Sequence, residues 1–103
     1  MKIEILVIGR HQEILETLLR LINNNEEWNG RGTSDDDEDR ALFDRHQFDI
    51  VLLSSGISEE SEAALRHYFR KVAPNTQVIQ HYGGGSGLLA NEIKAALNRD
   101  NIS

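Results

Sequence analysis

Two short stretches of this chain are apolar at almost every position. One runs from Ile3 to Ile8 and closes on Gly9; the other is Phe48-Asp49-Ile50-Val51-Leu52-Leu53-Ser54. A strand with one face in water alternates apolar and polar residues. A strand that does not alternate must be covered on both faces, as in a parallel sheet with helices above and below it. The rest of the chain has to supply those helices.

It does so in alternation with further strands. Ile14, Leu15, Leu18, Leu19 and Ile22 recur at helical spacing and predict a helix over His11 to Asn23, ended by the Asn23-Asn24-Asn25 cluster. Trp28 to Ser34 reads as a short edge strand, weakened by Gly30 and Gly32. Ser34 resembles an N-cap, with Asp37 three residues on, for a second helix through Arg40, Ala41, Leu42 and Phe43 to about His46. Phe48 to Ser54 is the third strand, and Ser54 is expected to surface at its C-terminal tip. Ser58 to Val72 is a third helix with Leu65, Tyr68, Phe69 and Val72 on one face, stopped by Pro74. Thr76 to Tyr82 is a fourth strand, whose Gln77 and Gln80 suit an edge. Gly83-Gly84-Gly85-Ser86-Gly87 reads as a flexible loop. A last helix carries Leu88, Leu89, Ile93, Ala96 and Leu97 inward, and Asn98 to Ser103 reads as a frayed tail.

Strands alternating with helices imply a parallel sheet with right-handed crossovers. The predicted class is α/β: one flavodoxin-like domain over residues 1–103, a three-layer sandwich around a mostly parallel four-stranded sheet of order 2-1-3-4. This order centres the two most apolar strands. It puts the functional crevice between their C-terminal ends, lined by Gly9, Arg10, His11, Ser54, Ser55 and Gly56.

Composition narrows the function. A chain of 103 residues is one domain, able to bury somewhat more than ~60% of its unfolded surface. It has no cysteine, so disulfides and thiolate chemistry are excluded, and a cytoplasmic location is expected. No apolar run has the length of a membrane span, and Met1-Lys2-Ile3-Glu4 enters a strand pattern with no signal-peptide layout. Lys and Arg total 11 against 17 Asp and Glu, a net charge of −6, which disfavours nucleic acid as a partner.

Ile5-Leu6-Val7-Ile8-Gly9-Arg10-His11-Gln12-Glu13-Ile14 resembles the first strand and helix entry of the receiver domain of two-component response regulators. Phe48 to Ser54 resembles that family's third strand. The resemblance implies a receiver-like fold and a signalling role. It also implies where the phosphorylation chemistry should sit, and each of those places has changed. Gly9 and Arg10 stand where active receivers carry an acidic, Mg²⁺-binding pair. Ser54 stands in place of the phosphoacceptor aspartate, and Tyr82 in place of the Ser or Thr ending strand four. There is no room for a fifth strand with its lysine. Acyl phosphate formation needs a carboxylate and a divalent cation to offset phosphoryl charge; a hydroxyl beside an arginine supplies neither.

Each remaining motif has a sharp and an ordinary reading. Arg10 at the start of the first helix could hold an anion; the ordinary reading is a salt bridge to Asp35 or Asp36. His11 and Ser54 with an acid such as Asp35 could form a hydrolytic triad, but no Gly-x-Ser-x-Gly elbow surrounds Ser54. The ordinary reading is a helix-capping histidine and a strand-end serine. Asp35 to Asp39 lacks the spacing of a calcium loop and reads as a solvated helix start. Gly83 to Gly87 lacks the Lys-Ser/Thr ending of a phosphate loop and reads as a hinge. A cobalamin loop is absent around His11. The expectation is a non-catalytic module acting on a protein partner or on itself as a homodimer, with no cofactor, no metal, no nucleic acid and no membrane. The alternative is a small-ligand or anion site at Gly9, Arg10, His11, Ser54, Ser55, Tyr82, Gly83 and Gly84.

Overall fold

Both apolar runs are central strands. In the computed structural model, β1 (Ile3–Ile8) and β3 (Ile50–Leu53) lie side by side. Ile5, Leu6, Val7, Ile8, Ile50, Val51 and Leu52 are fully buried. Burying side chains of this size contributes about 1.5–3 kcal/mol each relative to exposure. The structure describes residues 2–34, 36–54, 56–81 and 86–102, and for 36–40, 86–88 and 98–102 it describes backbone only.

The elements follow in the expected order: β1, α1 (Gln12–Asn23), β2 (Trp28–Thr33), α2 (Asp36–Arg45), β3, α3 (Glu59–Val72), β4 (Gln77–Gln80) and α4 (Ser86–Ile102). The sheet order is β2-β1-β3-β4, and every neighbouring pair is parallel. This is the flavodoxin-like α/β sandwich the sequence predicts.

Alternation along the central strands divides the core in two. Ile5, Val7, Ile50 and Leu52 face α1 and α4, packing with Leu15, Leu18, Ile22, Trp28, Leu89, Ile93 and Ala96. Leu6, Ile8, Val51 and Leu53 face α2 and α3, packing with Phe43, Phe48, Leu65 and Phe69. Phe43 is the hub of the second layer, 4.5 Å from the Phe69 ring and 6.0 Å from that of Phe48. The Tyr68 hydroxyl donates to the Asp44 carboxylate (2.6 Å to the nearer oxygen), tying α3 to α2.

Local signals explain most boundaries. Ser58 caps α3, its Oγ accepting from the Ser61 N–H at 3.1 Å. Glu59, Glu60 and Glu62 in the first turn and Arg70 and Lys71 in the last complement the helix dipole. Gly30 and Gly32 permit close packing beneath α1. A Cβ on Gly32 would come within 2.7 Å of Leu19 Cδ1 and 2.9 Å of Leu15 Cδ1.

Several expectations need correction. Helix α2 begins at Asp36, two residues after Ser34, and the Ser34 hydroxyl donates to Gln12 Oε1 (3.2 Å) instead of capping it. Ser86 and Gly87 belong to α4 and not to a loop, and α4 continues to Ile102 where a frayed tail was expected. Ile14 is 43% exposed and Val72 50% exposed, so neither belongs to the buried face of its helix. Thr76 precedes β4; its Oγ1 donates to the Phe48 carbonyl at 2.8 Å. No helix among the described residues is long and apolar enough to cross a membrane.

Truncating Phe69 to alanine should cost about 3–5 kcal/mol, because the emptied site lies in a closed aromatic layer. Val72→Ala should stay within about 0.5 kcal/mol of the parent. Urea denaturation of the two variants measures the contrast.

Candidate functional site

The parallel ladder does not stop where the strands do. The Gly9 N–H donates to Thr33 O (3.2 Å), the Ser54 N–H to Ile8 O (2.7 Å) and the His81 N–H to Leu53 O (2.8 Å). The last strand pairs are Ile8 with Thr33, Ile8 with Leu53, and Leu53 with Gln80. One residue further on, Ser34, Gly9, Ser54 and His81 form a level row across the C-terminal edge of the sheet. The row lies two residues beyond Val7, Leu52 and Ile79, which pack in the layer of α1 and α4. Side chains in a strand alternate, so the row faces that layer as well.

Ser54 is thus central in the row. It is 5% exposed, where the sequence predicted a residue that surfaces. Ser54 lies between Gly9 on one side and His81 on the other, and the chain then turns back toward β1 at Gly56. Gly56 has φ +87°, and a Cβ there would lie 2.9 Å from Arg10 Cβ and 3.1 Å from the His11 ring. The left-handed conformation and the close approach both call for glycine. The turn after β3 therefore packs on the two residues that lead into α1, which brings Gly9, Arg10, His11, Ser54 and Gly56 together.

His11 occupies the N-cap position of α1 but makes no capping side-chain bond, so the reading of it as a capping histidine is corrected. Ser55, Tyr82, Gly83 and Gly84 lie outside the described residues, as does Asp35. Among the described residues no group of three or more His, Asp or Glu is placed to hold a metal ion.

The sequence reading missed one feature of the row. His81 is buried, and its Nδ1 is 2.5 Å from Oε1 of Glu92 on α4. The side chains are 5% and 18% exposed. A carboxylate on one ring nitrogen fixes the orientation of the imidazole. It also binds α4 to the tip of the edge strand beside Ser54. The sequence reading took Tyr82 as the end of this strand; the register puts His81 level with Ser54. Counting forward from Leu53 opposite Gln80 would have found it, but the partnership with Glu92 has no local sequence signal.

No protein-family model matches the sequence, and no curated protein matches it. Solved structures do. The signal receiver domain of an HD domain-containing protein from Pseudomonas fluorescens Pf-5 superposes with a TM-score of 0.84 at 14% identity, with 100% of both chains covered. The fold is the receiver fold. A response regulator receiver domain protein from Clostridium thermocellum gives a TM-score of 0.78 at 16% identity, covering 97% of this chain and 98% of its own. The Vibrio cholerae chemotaxis protein CheY4 gives 0.71 at 11% identity, with 93% and 99% covered. On this receiver fold, the tip of the third strand carries a hydroxyl and the first strand is followed by glycine and arginine.

Two substitutions test the site's construction by chemical denaturation. Gly56→Ala should cost about 1–3 kcal/mol through backbone strain and crowding of Arg10 and His11. Glu92→Ala should cost about 1–3 kcal/mol by removing the partner of a buried imidazole.

Proposed function

We propose that this chain is a receiver-like signalling module that works through protein–protein contacts and is not phosphorylated by the aspartyl mechanism. The observation that carries the reading is the composition of the sheet-edge row: Ser34, Gly9, Ser54 and His81 contain no carboxylate. Transfer of a phosphoryl group to an acyl position needs a carboxylate nucleophile, and the metal that offsets its charge needs acidic ligands. Ser54 is also buried, so an incoming phosphoryl donor meets little of its hydroxyl. The receiver fold of the neighbours supports the signalling side of the reading. A non-enzymatic role and a cytoplasmic location belong to the same proposal, as does a protein partner or a second copy of the chain.

The rival reading is an anion or small-ligand site at Gly9, Arg10, His11 and Ser54. The packing of Gly56 against Arg10 and His11 favours it by assembling the crevice. The burial of Gly9 and Ser54 speaks against it. Titration with inorganic phosphate, followed by amide NMR, separates the two. Localised shifts at residues 9–11 and 54–56 would establish the ligand site, and an unchanged spectrum would leave the interaction module.

Incubation with acetyl phosphate and Mg²⁺, followed by intact-mass measurement, should leave the mass unchanged. A stable single phosphoadduct would overturn the proposal. Ser54→Asp should fail to gain an adduct under the same conditions, because Gly9 and Arg10 still offer no metal ligand.

A further inference from the structure

The sheet ends differently on its two sides. In β2, the N–H and C=O groups of Trp28, Gly30 and Gly32 point away from β1, since Glu27 O and Thr33 O are the acceptors for β1 and Gly9. The chain itself covers much of this outer edge. The Trp28 N–H donates to Asn25 O at 3.1 Å. The Gly30 N–H donates to Asn23 Oδ1 at 2.7 Å, and Asn23 Nδ2 donates back to Gly30 O at 3.3 Å. The Asn23 amide thus pairs with Gly30 as a neighbouring strand would.

Among the described residues, nothing comparable covers the outward groups of Val78 and Gln80 in β4. The Gln77 and His81 N–H groups donate to Asp49 O and Leu53 O, so Val78 and Gln80 turn their backbone groups outward. Among the described residues, the one contact to them is a long bond from Arg66 Nη1 to Val78 O, at 3.4 Å. The edge forms the floor of a groove of about 320 Å³, with Arg66 of α3 on one wall and Glu92, Ala95 and Ala96 of α4 on the other. An unpaired strand edge of this kind is a template for another strand.

We propose that the β4 edge pairs antiparallel with the β4 edge of a second copy of this chain, continuing the sheet across a two-fold axis at Ile79. The proposal rests on the reading of the chain as an interaction module and names its partner. Two observations favour a second copy. A dyad perpendicular to the sheet keeps faces matched: Ile79 meets Ile79 of the second copy, and Val78 meets Gln80 of the second copy, so the outward groups of Val78 and Gln80 bond reciprocally. The charges on the groove walls are already paired within each copy, Arg66 with Glu62 at 3.0 Å and Glu92 with His81, so the contact strands no charge. A preformed edge flanked by helices also loses less freedom on pairing than a disordered peptide would. The net charge of −6 opposes association, so the dimer should tighten as salt rises.

Sedimentation velocity from micromolar to millimolar protein, with amide exchange at both ends of that range, is the test. The mass should climb toward twice that of the chain, and exchange at Val78 and Gln80 should slow in the dimer. Val78→Pro removes an outward N–H without touching the bonds to β3. It should weaken association by about tenfold or more while keeping the parent circular dichroism. A chain that stays monomeric at millimolar concentration overturns the proposal. So does a dimer in which Val78 and Gln80 exchange as fast as in dilute solution, or one that Val78→Pro leaves intact. The exchange measurement needs no variant, so it decides even if the proline form does not fold. None of these results bears on the acetyl phosphate experiment, so dimer and non-phosphorylated module stand or fall separately.

Discussion

The structure depends on burying β1 and β3 on both faces at once. Seven side chains from these strands are fully excluded from water. Neither strand can sit at an edge without exposing part of that set, so they take the centre and β2 and β4 take the flanks. Two-sided burial also demands two helical layers, which α1 and α4 on one face and α2 and α3 on the other deliver. The position of the candidate site follows from this. The connections of the two central strands leave to opposite faces of the sheet, the place where open α/β sheets carry their sites, and Gly9 and Ser54 are the first residues beyond the two strands there.

What the site contains is a matter of single residues. The side chains of the sheet-edge row lie one residue beyond the last strand pairs and outside both core clusters. Here they are Ser34, Gly9, Ser54 and His81. The row has a hydroxyl at its centre and an imidazole held by Glu92 beside it. The His81–Glu92 pair works as a structural bond between the tip of β4 and α4. The Gly56 turn closes the other side over Arg10 and His11. Ser54 is therefore braced on both sides by contacts within the chain.

Most of the fold was legible because its strongest signals are local. Unbroken apolar runs gave the central strands, the Leu15, Leu18 and Ile22 stripe gave α1, and Pro74 gave the end of α3. The misreadings arose where tertiary contacts override local rules. The edge strand β2 is not among them: it reads as a strand despite Gly30 and Gly32, and Leu15, Leu19 and Ile22 leave no room for a Cβ at these glycines. Ser34 looks like a cap, yet Gln12 claims its hydroxyl. Ile14 and Val72 fit the apolar stripes but fall on the rim, since a stripe wider than its contact leaves residues outside it. Ser54 looks like a strand end in water, yet it is 5% exposed, between Gly9 and His81 in the row. The His81–Glu92 pair joins two elements and could be found only through the register of β4.

The two outer strands carry the same logic to the limits of the sheet. Both present a row of outward backbone groups, and among the described residues no further strand lies beside either. At β2 the chain spends one asparagine, Asn23, to imitate the missing neighbour, and the glycines that admit α1 also let the edge lie close beneath it. At β4 the half-buried residues Gln77 to Gln80 keep glutamines at both ends, which lowers the cost of facing water without satisfying the backbone. Such an edge is tolerable for a monomer and favourable for pairing. If selection had acted only for a soluble monomer, a second Asn23-like device or a proline at Val78 or Gln80 would have been available at no cost to the β3 ladder. An edge left open on one side and closed on the other is therefore the part of this sheet best explained by contact with another strand.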